Sequence, residues 1–194
     1  LKKLIDDLLE ASKASSGVLN VIPAPCEVGV LLEQVQGEYA ERLHAHDLNL
    51  IVQTPDKTLT VLADGRHLGR IFDNLMNNII KYAQPGTRVY LDARAGLDPA
   101  APGGSRPVAV ITFRNVSAEP LNIPAEELLE RFVRGDASRH TEGSGLGLAI
   151  VQSLTELQGG SLQLAIDGDL FKVRLTFPLY TPADAAQAAS SGKE

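Results

Sequence analysis

Apolar residues set the first pattern along the chain. Leu1, Leu4, Ile5, Leu8, Leu9 and Ala11 recur at the three- and four-residue spacing of an amphipathic helix. No capping residue stands ahead of them. The segment reads either as a self-contained helix or as the last turns of one that begins upstream and packs on a partner. A short extended piece, Val18 to Ile22, leads through Pro23 and Pro25 into a helix over Glu27 to Ala45. Asp47 to Gln53 alternates apolar and polar residues as a strand does, and Leu59 to Leu62 is a second short strand. Asp64 is placed to cap a long helix, Gly65 to Ala83, which Pro85-Gly86 stops. Leu68, Ile71, Phe72, Leu75, Ile79 and Ile80 form its core stripe.

Further on, Arg88 to Ala93 and Val108 to Arg114 read as strands flanking Gly96 to Pro107, a loop rich in Pro, Gly and Ala. Pro124 to Phe132 reads as a short helix and Gly135 to Ser144 as a polar, mobile stretch. Leu146 to Leu157 is a helix closed by Gly159-Gly160. Ser161 to Ile166 and Phe171 to Leu179 form a hairpin around Asp167-Gly168-Asp169, and a loose tail follows Thr181. Five main strands and three longer helices predict an α/β fold: a two-layer sandwich whose mixed five-stranded sheet is covered by about three helices.

Length and composition narrow the classes. The 194 residues, 44% hydrophobic and 22% charged, suffice for one well-buried domain with short flanks. A net charge of -6 gives no basic stripe for a phosphate backbone, so no nucleic-acid partner is expected. The single cysteine, Cys26, excludes an internal disulfide and fits a reducing, cytoplasmic setting. It reads as a small apolar residue at a helix start. The apolar runs are too short and too often interrupted to cross a bilayer, so no direct membrane contact is expected of this chain.

Three short segments carry chemistry. On the long helix, Asn74 and Asn78 lie one turn apart, with Lys81 a further turn along. Asparagine is a poor helix former, yet Asn74, Asn77 and Asn78 crowd into five positions. Two side-chain carbonyls on adjacent turns can ligate Mg2+ directly or through its waters, and Lys81 adds a charge for phosphate. A solvated helix face is the alternative. Gly143-Ser144-Gly145-Leu146-Gly147-Leu148 then opens an apolar helix. Alternate glycines let backbone N–H groups approach phosphate oxygens, and the helix N-terminus adds partial positive charge. A plain flexible turn is the alternative. It is no P-loop, because no Lys-Ser or Lys-Thr follows, and no dinucleotide fingerprint, because no strand precedes it. Arg134, about ten residues earlier, is placed either to reach a terminal phosphate or to sit on a surface loop.

The order and spacing of these segments closely resemble the ATP-binding catalytic domain of bacterial sensor histidine kinases, in the wider family shared with gyrase, Hsp90 and MutL. Residues 74–82 and 143–151 carry the likeness almost residue for residue, and it extends over about Val18 to Leu179. The resemblance implies a Bergerat-type fold binding ATP and Mg2+. It implies Asn78 as principal metal ligand with Asn74 close to metal and phosphate, and Lys81 and Arg134 as phosphate contacts. Tyr82 is similar to the aromatic that packs on adenine. Gly143, Gly145 and Gly147, with Leu146, look like the ATP lid. Residues 1–16 would end an upstream dimerisation and phosphotransfer helix, 17–180 form the catalytic domain and 181–194 the tail. The parent would be an inner-membrane sensor, homodimeric through that hairpin, with its kinase portion in the cytoplasm and a response regulator as partner.

One segment departs from the family. Where it usually has Asp-x-Gly-x-Gly, this chain reads Asn115-Val116-Ser117-Ala118-Glu119. Asn115 keeps a carbonyl oxygen for the adenine amino group but lacks the charge, so a weaker contact is expected. Related ATPases place a water-activating Glu where Asn74 stands. An amide takes no proton at neutral pH, which favours transfer of the γ-phosphate over hydrolysis. None of the four histidines (His44, His46, His67, His140) lies in a segment like the family's acceptor site. The acceptor is therefore expected upstream. Two other readings stand beside this one: a nucleotide-sensing module without catalysis, and a stand-alone ATPase or protein kinase of the same fold.

Overall fold

The computed structural model describes residues 19–54, 59–99, 104–121, 124–129 and 145–180. Among them, β1 (Ala24–Glu27) leads into α1 (Val28–Ala45), then β2 (Asn49–Gln53), β3 (Thr60–Ala63) and α2 (Gly65–Tyr82). β4 (Arg88–Asp98), β5 (Arg106–Val116) and the single turn α3 (Ala125–Leu128) follow. α4 (Gly147–Leu157), β6 (Ser161–Asp167) and β7 (Leu170–Pro178) complete the order. The main sheet runs β2-β4-β5-β7-β6, and β1 pairs with β3 in a small separate sheet. β2 and β4 are parallel, joined by the β3–α2 crossover; the other pairings are antiparallel. The result is the mixed five-stranded, two-layer sandwich that the periodicity predicts.

The helices form because their apolar residues repeat on one face. α1 buries Val28, Leu32, Val35, Tyr39 and Leu43, one residue per turn. α2 buries Leu68, Ile71, Phe72, Leu75, Met76, Ile79 and Ile80. Phe72 meets Phe113 of β5 with ring centroids 5.6 Å apart, which anchors α2 on the sheet. Ala109, Ile111 and Phe113 of β5 belong to this core, so strand alternation puts Asn115 on the same helix-covered face.

Asp64 does more than cap. Its carboxylate accepts from the Arg66 backbone N–H at 3.0 Å, from the Arg66 guanidinium at 2.8 Å and from the Ile22 N–H at 3.0 Å. Its own N–H donates to Gln158 Oε1 at the end of α4, at 2.8 Å. The Arg66 side chain, more than the backbone donors, holds this nearly buried carboxyl well below the usual carboxylate range against the opposing effect of burial.

Three expectations need correction. A strand not expected there follows the segment read as extended, Val18 to Ile22: Ala24–Glu27, which includes Pro25, pairs with Thr60–Ala63. Pro25 is tolerated there because a two-stranded sheet is all edge. Cys26 therefore sits in a strand, donating its thiol to the Ala63 carbonyl at 3.3 Å, not at a helix start. The loop expected over Gly96 to Pro107 is sheet at both ends: β4 runs to Asp98 and β5 begins at Arg106, with Gly96 opposite Val108. A Cβ on Gly96 would sit 3.0 Å from the Val110 side chain, so glycine serves close strand packing here rather than a turn.

Candidate functional site

Asn74 and Asn78 project from the half-buried flank of α2, beside its apolar stripe. Asn74 Nδ2 donates to the Arg70 carbonyl one turn back, at 2.8 Å, which leaves Oδ1 to face outward. Asn78 has no hydrogen-bond partner among the described residues. Opposite both stands Gly147, the first residue of α4. A Cβ built there would lie 3.5 Å from Asn74 Oδ1 and 3.6 Å from both Oδ1 and Nδ2 of Asn78. Glycine thus keeps open the space between the two amides and the start of α4. The Leu146 side chain does not cap α4, while the Ile150 N–H already bonds the Leu146 carbonyl at 2.9 Å, so the N–H groups of Gly147, Leu148 and Ala149 receive no cap from it. Gly145 adopts φ +70°, a left-handed conformation that glycine enters without strain. Leu146 contributes differently from its neighbours. Its side chain is fully buried in the core and fixes the start of α4 from within.

At the other end of α2, Lys81 Nζ donates to Tyr82 Oη at 2.7 Å and lies 4.6 Å from the Tyr82 ring centroid. The strand end of β5 is tied to this point. Ala118 N–H donates to the Tyr82 carbonyl and Gln84 N–H to the Val116 carbonyl, both at 2.9 Å. Ala83 and Ser117 form a bridge between them. Asn115, 4% exposed, is thereby held close to Tyr82, and its Nδ2 donates to the Val116 carbonyl at 3.2 Å. That bond turns Oδ1 away from Val116 as an acceptor.

The structure thus brings Asn74 and Asn78 to Gly147, with Gly145 and Leu146 just ahead of it in the chain. Lys81 and Tyr82 end the same helix, and the β5 end that carries Asn115 is tied to that helix end by backbone bonds. Arg134 and Gly143 lie outside the described residues, as does the stretch expected to be mobile. Asn77 separates from its neighbours: its Nδ2 donates to the Asp73 carbonyl at 2.7 Å and its Oδ1 accepts from Arg42 of α1 at 2.8 Å. Tyr39 of α1 donates to Asp73 Oδ1 at 2.9 Å, so α1 grips the back of the helix that carries the amides. Nothing in the spacing of Tyr39 or Arg42 signals this. A separate cleft of about 740 Å³, lined by His44, Asp47, Asn49, Thr87, Arg88 and Tyr90, lies at the β2–β4 edge and contains none of the candidate residues.

The donor set suits a hard, oxygen-seeking cation that keeps water and phosphate ligands. No cluster of three or more His, Cys, Asp or Glu residues placed to hold a metal occurs among the described residues. Two side-chain amides facing the N-terminus of α4, where no side chain caps the helix, fit Mg2+ carried on a phosphate ligand.

Residues 63–181 match the profile of the family described as histidine kinase-, DNA gyrase B-, and HSP90-like ATPase. Over 165 residues the chain is 33% identical to the signal transduction histidine-protein kinase BaeS of Escherichia coli K12, covering 84% of this chain and 33% of that protein. It is 27% identical to the sensor protein VanS of Enterococcus faecium, covering 92% of this chain and 44% of that one. The chain therefore spans between a third and a half of the length of these relatives. Among solved structures, full-length ShkA in complex with AMPPNP superposes with a TM-score of 0.73 at 23% identity, over 92% of this chain and 36% of that one. The catalytic domain of the histidine kinase ThkA superposes with a TM-score of 0.66 at 17% identity, over 81% of this chain and 95% of that one. The chain belongs to the histidine kinase-, DNA gyrase B- and HSP90-like ATPase family.

Proposed function

We propose that this domain holds Mg-ATP between α2 and α4 and offers the γ-phosphate to a histidine on an upstream dimerisation hairpin of the parent protein. The observation that carries the reading is the bare Gly147 at the N-terminus of α4, facing both Asn74 and Asn78. Asn78 is the principal metal ligand and Asn74 its neighbour. Mg2+ held there would neutralise phosphate charge, the main need of phosphoryl transfer besides positioning. Lys81 and Arg134 contact phosphate. The backbones of Gly143, Gly145, Leu146 and Gly147 cradle it. Tyr82 packs on adenine, and Asn115 Oδ1 accepts from its amino group.

Asn74 supplies no general base, so water is not activated and the γ-phosphate passes to the stronger imidazole nucleophile. His44 lies in the last turn of α1, His46 caps it, and His67 in the first turn of α2 is engaged with the Asn20 carbonyl and the Asp64 carboxylate, which supports an acceptor elsewhere. A response regulator is the onward partner, and the kinase portion works in the cytoplasm beneath an inner-membrane sensor. No described helix is long and apolar enough to cross a membrane. The catalytic domain is assigned to 17–180; residues 1–16, expected to end an upstream helix, and 181–194, expected as a tail, lie outside the described residues.

Calorimetry with ADP and ATP, with and without Mg2+, tests the site on this chain and on Asn78→Ala. Mg-dependent binding that Asn78→Ala abolishes is expected. A folded chain that binds neither nucleotide would sink the reading. The second reading, a signalling module without catalysis, would then stand. It draws its support from the uncharged Asn115 and the missing glycines after it.

A further inference from the structure

Lys81 is a half-buried ammonium whose partner is a neutral phenol. No carboxylate lies within ion-pair distance of it among the described residues, although the chain carries an excess of acidic groups. Its hydrogen bond goes instead to Tyr82 Oη at 2.7 Å, and the ammonium rests 4.6 Å from that ring. Both residues sit one helical turn from Asn78, at three and four positions along α2. The Tyr82 backbone is fixed in turn by the Ala118 N–H, so the phenol stands on a rigid base.

We propose that Tyr82 is a positioning residue for Lys81: its hydroxyl tethers the ammonium at the phosphate end of the cleft, while its ring serves the base. This rests on the nucleotide reading above and extends it. An ammonium has three N–H donors; one is spent on Tyr82 Oη and two stay free for phosphate oxygens. A neutral tether suits this task better than a carboxylate. A carboxylate would neutralise Lys81 and repel the incoming phosphate, whereas the phenol restricts the four-carbon stem and leaves the charge unspent. The tether lowers the ordering cost when phosphate arrives. The hydroxyl thus acts on phosphate affinity through Lys81 and has no part in binding the base.

The test is a double-mutant cycle read with two ligands, adenosine and ATP in excess Mg2+, by calorimetry on this chain. Tyr82→Phe keeps the ring and removes only the hydroxyl. Adenosine affinity should stay within about twofold, while ATP affinity falls roughly 3- to 10-fold, the worth of one hydrogen bond. In a Lys81→Met background the same change should have no further effect on ATP. Equal losses for adenosine and ATP would overturn the proposal, since the hydroxyl would then serve the base or the ring's placement. Additive losses in the double variant, or tighter ATP binding by Tyr82→Phe, would overturn it as well. A wild-type chain that binds neither ligand brings down the nucleotide reading itself, and that result needs no variant to be seen.

Discussion

At the scale of single residues, the site turns on what Gly147 lacks. Its α-carbon faces two amides across a gap that a methyl group would fill at ordinary contact distance, 3.5–3.6 Å. Gly147→Ala is therefore expected to leave folding intact, and even to gain up to about 0.5–1 kcal/mol from better helix propensity. The same methyl stands where a metal-bound phosphate oxygen must pass, so Mg-ATP affinity should drop about tenfold or more. Thermal unfolding and calorimetry on one sample separate the two effects; unchanged ATP affinity would count against the cleft. The sequence shows Gly147 and the Asn pair, and their spacing suggests a phosphate ligand. It does not show that they touch, nor that Asn77 turns its back on them. Asn77 and Asn78 differ only in which side of the helix each occupies, and that side is set by where α1 and α4 pack.

At the scale of elements, α2 is gripped on three sides. Its apolar stripe lies on the sheet, Tyr39 and Arg42 of α1 hold Asp73 and Asn77 behind it, and α4 lies against its Asn flank. The orientation of α4 depends on the corner that follows it. Gly159 takes φ +73°, and at Gly160 a Cβ would meet the Thr176 carbonyl at 2.7 Å and the Phe177 ring at 2.8 Å. Neither a strand carbonyl nor a buried ring can yield cheaply. Gly160→Ala is expected to destabilise the domain by about 1–3 kcal/mol through overpacking, measured as a lower denaturation midpoint with an unchanged slope. A neutral outcome would mean that the α4–β6 corner adapts. Gly159-Gly160 is legible as a helix stop in the sequence. Only the sheet reveals that the second glycine is there for close approach. The β4–β5 hairpin misled in the opposite direction: Gly96 looks like the start of a loop, but it lies in β4 where the Val110 side chain of β5 crowds it.

At the scale of the whole molecule, Asp64 joins parts far apart in the chain: the segment at Ile22, the start of α2 and, through its own N–H, Gln158 at the end of α4. Its folded pKa is depressed below the ordinary value of 3.8. A carboxyl held down in this way contributes stability above its unfolded pKa. That contribution is lost as pH falls from about 4 through the lower folded value. Asp64→Asn should cost about 1.5–3 kcal/mol at neutral pH and make unfolding less steeply pH-dependent below pH 4. Parallel acid titrations of the two proteins would decide; equal slopes would show that Asp64 is not what acid attacks. What the sequence by itself determined was the set of parts: the helical and strand periods, the Asp64 cap, the amide stripe and the glycines, because each is a local pattern of at most a few turns. Element order and the family likeness followed from those. The tertiary structure alone decided that α4 begins against Asn74 and Asn78, that the Asn115 strand end is tied to Tyr82, that α1 clamps α2 and that Asp64 links three segments. Those contacts arise from packing between residues up to 94 positions apart, and no local pattern encodes them.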